Sequence, residues 1–127
     1  MERLKRRADF LSAAKGARIQ AGSFTVQARD RRDRSSPRIG FTVTKKTGNA
    51  VERNRIRRRL RAAMGDVVPR KAQAGFDYVI VARRQALTSP FDTMIAELER
   101  ALSRLHERKS GPGPARPRVK AGDGESE

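Results

Sequence analysis

The chain has no cysteine and no tryptophan, and it has one tyrosine and one histidine. Without cysteine there is neither a disulfide framework nor a thiolate metal site. Aromatic residues make up 5% of the 127 positions, so one modest, largely aliphatic core is expected. No apolar stretch approaches the roughly 20 residues of a spanning helix, and the basic N-terminus lacks the apolar run of a signal peptide. Acid is scarce as well: 14 Asp and Glu stand against 30 Lys and Arg, a formal charge of +16. That excess exceeds what solubility requires and points to a polyanion, nucleic acid in preference to a membrane surface. A cytoplasmic protein is expected.

The materials of a protein-borne hydrolytic site are also thin. Such a site needs clustered carboxylates for hydrated magnesium, or a histidine set for acid-base work. Asp9, Asp30, Asp33, Asp66, Asp77 and Asp92 are scattered, and Asp30 and Asp33 lie beside arginines that would pair with them. The single histidine, His106, falls at the end of the last predicted helix and is expected to be solvated. No catalytic residue is expected in this polypeptide, and no metal is expected to be bound by the protein alone.

What the chain has in abundance is concentrated in Lys45-Lys46-Thr47-Gly48-Asn49-Ala50-Val51-Glu52-Arg53-Asn54-Arg55-Ile56-Arg57-Arg58-Arg59-Leu60-Arg61. Gly48 supplies a permissive turn, Asn49 is a good N-cap, and Glu52 stands where a capping box needs its partner. A helix over about 50–64 follows. At about 100° per residue, Ile56, Leu60 and Ala63 share a docking stripe, with Met64 at its edge. Asn54, Arg58 and Arg61 face the other way, and Arg53 and Arg57 lie on the flank. A solvated helix face would mix charge signs at four-residue spacing. Here one acid at the cap faces a block of like charges, which repel unless an anion offsets them. The preference for arginine over lysine suits bidentate phosphate recognition.

The other elements frame this helix. Ala8 to Lys15 reads as a short helix ended by Gly16 as a left-handed cap, with Phe10, Ala13, Ala14 and Ala17 on one side. Ser23 to Arg29 alternates, with Phe24, Val26 and Ala28 on one face and Thr25 and Gln27 on the other. Arg38 to Thr44 repeats the scheme, with Ile39, Phe41 and Val43 inward and Gly40 and Thr42 outward. As adjacent strands the two would offer a polar sheet surface suited to extended RNA. Gly65 to Gly75, containing Pro69, is expected to be a connector. Phe76 to Arg83 is apolar on both faces and is expected to be a central strand, parallel to its predecessor across the intervening helix. Ser89, Pro90 and Asp92 predict a capped helix over about 90–106 with a core stripe of Phe91, Met94, Ile95, Leu98, Ala101, Leu102 and Leu105. Residues 1–106 are read as one domain and 107–127, rich in proline and glycine, as a disordered tail.

The string KKTGNAVERNRIRRRLR resembles the signature of the bacterial ribonuclease P protein subunit, and the resemblance extends from about Leu4 to about Leu105. It implies an α+β fold, a single-domain α/β sandwich of the ribonuclease P protein type. This is the class shared with the second domain of ribosomal protein S5, with a mixed sheet and a left-handed β-α-β crossover. General packing rules alone would favour a right-handed one. It implies a subunit of an endonuclease that removes the 5′ leader of precursor transfer RNA, with hydrolysis carried out by the catalytic RNA through magnesium bound mainly by that RNA. Lys45, Lys46, Arg53, Asn54, Arg55, Arg57, Arg58 and Arg61 would then dock the catalytic RNA. Phe10, Ala14, Thr25, Gln27 and Thr42 would face the single-stranded leader. Ala14 and Gln27 stand where family members often carry aromatics, which weakens the case for stacking there. Two other classes fit less well. A helix-turn-helix DNA binder needs a closely preceding helix, where this chain has a strand. A generic ribosome-associated RNA protein fits the charge but not the specific pattern from Lys45 to Arg61.

Overall fold

The computed structural model describes residues 2–110, with side chains through Glu107. The elements in chain order are β1 (Glu2–Arg3), α1 (Arg7–Ala14), β2 (Ala17–Ala21), β3 (Phe24–Asp30), β4 (Arg38–Thr42), α2 (Ala50–Lys71), β5 (Phe76–Ala82) and α3 (Phe91–Ser110). Short 3₁₀ turns occupy Lys45–Thr47 and Arg84–Leu87. The strands form one mixed sheet in the order β1-β4-β5-β3-β2.

The apolar run of β5 accounts for its place at the centre. It pairs parallel with β4, to which α2 connects it, and antiparallel with β3. Tyr78, Ile80 and Ala82 enter the main core, while Val79 and Val81 belong to a smaller cluster on the other face. The main core is closed by Ile56, Leu60, Ala63, Met64 and Val67 of α2, and by Met94, Leu98, Ala101, Leu102 and Leu105 of α3. On the opposite face α1 lies across the sheet, with Ala13 buried against Val79 and Leu4. Gly40 makes that approach possible: a Cβ there would lie 2.6 Å from the Phe10 ring.

Several sequence expectations are corrected. β3 and β4 are not adjacent, because β5 inserts between them, so the middle of the sheet face that α1 crosses is lined by Val79 and Val81. The expected connector from Gly65 is helical as far as Lys71. Val67 is fully buried and extends the apolar stripe, and the carbonyl that Pro69 leaves without a donor belongs to exposed Gly65. Gly16 is not a left-handed cap. The positive-φ glycines among the described residues are Gly22, Gly48 and Gly75, and Gly16 instead lets the chain pass against the carbonyl oxygen of Ala28, 2.1 Å from where a Cβ would sit. The segment after it is strand β2, paired antiparallel with β3.

Ser89 does not cap α3. Its hydroxyl donates to Gln85 O at 2.8 Å and meets the hydroxyl of Ser23 at 2.8 Å, and the helix is closed by Met94 N–H donating to Pro90 O. Phe91, expected in the core stripe, is 39% exposed. α3 runs to Ser110, so residues 107–110 are helical where a disordered tail was expected, and the rest of that stretch lies outside the described residues. His106 is buried, its Nε2 2.6 Å from Tyr78 Oη and its ring edge-on to Phe76. Tyr78 Oη also accepts from Gln73 N–H at 2.9 Å, and burial pushes the phenol up to about 12.

Candidate nucleic-acid interface

The N-terminus of α2 is built as its local sequence dictates. Asn49 accepts from Glu52 N–H and Glu52 Oε1 accepts from Asn49 N–H, each at 2.9 Å, completing the capping box. Arg84, in the turn after β5, donates to Glu52 Oε1 at 3.2 Å and to Oε2 at 3.1 Å. The guanidinium, together with the Asn49 amide, holds the Glu52 carboxyl below its usual range. The single acid of the basic stretch is therefore already paired.

The arginines of α2 divide into two groups. Arg59 turns inward, with Nε donating to Ala86 O at 3.1 Å and Nη2 donating to Ser89 O and approaching Met94 Sδ at 3.1 Å. Asn54, Arg55, Arg58 and Arg61 are exposed, and Lys45 and Lys46 are exposed on the preceding turn. Among the described residues, the side chains of Lys45, Lys46, Arg53, Arg55, Arg58 and Arg61 make no hydrogen bond or ion pair. Arg57 lies between the groups: Nη1 donates to Asn54 Oδ1 at 3.3 Å and Nη2 to Val43 O at 3.4 Å. A row of cations with unspent donor capacity on a rigid helix is an anion-binding surface.

On the other face of the sheet is a groove of about 610 Å³ between α1 and the strands. Its walls and floor bring together Phe10, Ala14, Gln27 and Thr42, four of the five residues expected to share a cleft. Thr25 is not among its lining residues; it is 7% exposed, in register between Gln20 and Val81. The floor also includes Val79 and Val81, and Leu11, 52% exposed, stands on the helical wall. Lys5 and Arg7 place positive charge at the rim. An apolar groove with a basic edge suits a flexible polyanion whose bases or sugars have apolar faces. Leu11 sits beside Phe10 on α1, a signal within reach of the sequence, whereas Val79 and Val81 required the strand order.

Two residues before Val79 on β5, Asp77 is buried between two arginines. Arg38 donates to both its oxygens at 2.8 Å and Arg31 to Oδ1 at 2.5 Å. Burial alone would raise this carboxyl, and the guanidinium groups of Arg38 and Arg31 more than offset it, leaving the pKa below its ordinary value. Asp9 bridges Arg38 and Arg29 at 3.6 and 3.8 Å, and Asp33 pairs with Arg31. Among the described residues no three Asp, Glu or His side chains form a metal-binding group. Asp77, Asp9 and Asp33 each already answer arginines.

A family model for Ribonuclease P matches residues 1–106. The ribonuclease P protein component of Brucella suis is 45% identical, the match covering 86% of this chain and 83% of that one. That of Ruegeria pomeroyi is 48% identical, covering 84% and 87%. The solved RNase P protein of Staphylococcus aureus superposes with a TM-score of 0.69 at 30% identity, covering 82% of this chain and 94% of that one. The RNase P protein from Thermotoga maritima does so with a TM-score of 0.67 at 30% identity, covering 82% and 97%. By the family match, the identity to these relatives and the shared fold, the chain belongs to the family of ribonuclease P protein components.

Proposed function

We propose that this chain acts in transfer RNA 5′ maturation by binding two RNAs at once. The row Arg53, Asn54, Arg55, Arg57, Arg58 and Arg61, with Lys45 and Lys46, docks the catalytic RNA through its phosphates, and Asn54 is available to a sugar or base edge. The groove of Phe10, Leu11, Ala14, Gln27, Thr42, Val79 and Val81 takes the single-stranded 5′ leader of the precursor. Lys5 and Arg7 follow the leader's backbone.

The observation that carries this reading is the seam between the two surfaces. Thr42 lines the groove, and the carbonyl of the next residue, Val43, accepts from Arg57 of the basic helix. A leader leaving the groove at Thr42 meets the arginine row directly, so one protein spans enzyme RNA and substrate. Hydrolysis and the magnesium it uses belong to the catalytic RNA, and the protein contributes affinity and charge screening. Mature transfer RNA has no leader, so the groove favours precursor over product.

The test is the affinity of the reconstituted holoenzyme for precursor and for leaderless transfer RNA. Wild type should prefer the precursor, and Phe10→Ala should erode that preference by roughly 1–3 kcal/mol, the worth of one stacked base, with unchanged affinity for the catalytic RNA. Equal affinity of wild type for both substrates would refute the leader assignment. A generic RNA-binding role would show itself as equal affinity for unrelated structured RNAs.

A further inference from the structure

α2 and the 84–89 turn hold each other through two arginines pointing in opposite directions. Arg59 reaches from the helix to the carbonyls of Ala86 and Ser89. Arg84 reaches back, and its partners lie on both sides of a bend: Thr47 O at 2.9 Å belongs to the lysine-bearing turn, and the Glu52 carboxylate belongs to the helix. Between them Gly48 adopts a φ of +153°, and a Cβ there would fall 2.4 Å from Glu52 Oε1 and 2.9 Å from Arg84 Nη1. The backbone is thus left bare where the guanidinium and carboxylate meet. Glu52 also closes the capping box with Asn49, yet an acid beside a phosphate-binding row opposes binding unless it is neutralised.

We infer that Arg84 and Glu52 form a positioning latch, which fixes the angle between the Lys45–Lys46 turn and the arginine row of α2 so that both meet one RNA surface. The latch rests on the reading that α2 docks the catalytic RNA. It assigns Arg84 a role through Thr47 and Glu52 and gives it no phosphate contact of its own. The two accounts differ in sign. Simple electrostatics makes removal of Glu52 tighten RNA binding, and the latch makes it weaken binding.

The experiment measures binding of the full chain to ribonuclease P RNA over a range of salt, for wild type, Glu52→Ala, Arg84→Lys, Arg84→Ala and Arg58→Ala/Arg61→Ala. Circular dichroism melts establish that each variant is folded. Glu52→Ala and Arg84→Lys should each weaken binding about tenfold, the equivalent of fixing one more backbone residue on association. Lysine keeps the charge but cannot bridge both partners, so Arg84→Lys should keep the wild-type salt slope. If Glu52→Ala binds as tightly as wild type or tighter, the latch is overturned. It is also overturned if Arg84→Lys is unaffected while Arg84→Ala lowers the salt slope by roughly 0.7–0.9, the mark of one lost phosphate contact. Should Glu52→Ala melt below the assay temperature, Arg84→Lys decides the matter alone. Loss of affinity in Arg58→Ala/Arg61→Ala without loss in the latch variants overturns only the latch. No loss in that double variant overturns the docking reading and the latch with it.

Discussion

Arg58 and Arg59 are neighbours in sequence with opposite fates: the exposed Arg58 side chain makes no hydrogen bond or ion pair among the described residues, while that of Arg59 donates to Ala86 O and Ser89 O and approaches Met94. One step of about 100° around the helix separates a binding cation from a structural one. Arg59→Ala should therefore lower stability by about 1–3 kcal/mol, since it strands the partly buried carbonyls of Ala86 and Ser89. Arg58→Ala should stay within about 0.5 kcal/mol of wild type and weaken RNA binding instead. Urea unfolding paired with RNA titration checks both halves.

Asp77 gives the protein an acid-sensitive point. Its folded pKa lies below the ordinary carboxylate value, so its contribution is present above the unfolded value near 4 and is lost as pH falls through the lower folded one. Asp77→Asn should flatten the acid limb of the stability curve. Asp77→Ala, which leaves Arg31 with Asp33 alone and Arg38 with Asp9 alone as acidic partners, should cost about 3 kcal/mol at neutral pH. Melting temperature against pH measures both.

Tyr78 sets the alkaline limb. A phenol pushed up to about 12 in the folded state and near 10 when unfolded contributes stability fully below pH 10, which is lost as pH rises to about 12. Tyr78→Phe should remove that loss. It should also destabilise the protein by about 1–3 kcal/mol at neutral pH, because Gln73 N–H and His106 lose a shared partner.

The structure was legible in the sequence where the signal was local. The Asn49–Glu52 capping box, the buried stripe Ile56-Leu60-Ala63-Met64 and the two-faced apolar character of β5 all depend on spacing within a dozen residues. β2 escaped because Ala17–Ala21 carries a single large apolar residue, Ile19, and Pro69 masked the last turns of α2. Burial of His106 depends on where the end of α3 meets Phe76 and Tyr78, a contact no local pattern announces. The insertion of β5 between β3 and β4 is likewise a matter of topology, and it converted an expected polar sheet face into a groove with a Val79 and Val81 floor. Among the arginines of α2, only packing against the 84–89 turn distinguishes Arg59.

Gly40 links the fold to the groove. A methyl group at this position would press on the Phe10 ring at 2.6 Å and on Leu4 at 3.0 Å. Gly40→Ala should cost about 1–3 kcal/mol of stability and displace Phe10, so that precursor binding weakens while affinity for the catalytic RNA holds. Comparing the two affinities in a single preparation tests this.

The most direct test of the central account is cleavage of precursor transfer RNA by the catalytic RNA at low magnesium, with and without this protein, using wild type and Arg58→Ala/Arg61→Ala. Wild type should stimulate cleavage strongly, and the double variant, folded and equally stable, should stimulate it much less. Absence of stimulation by wild type with its cognate RNA, or full stimulation by the double variant, would contradict the account.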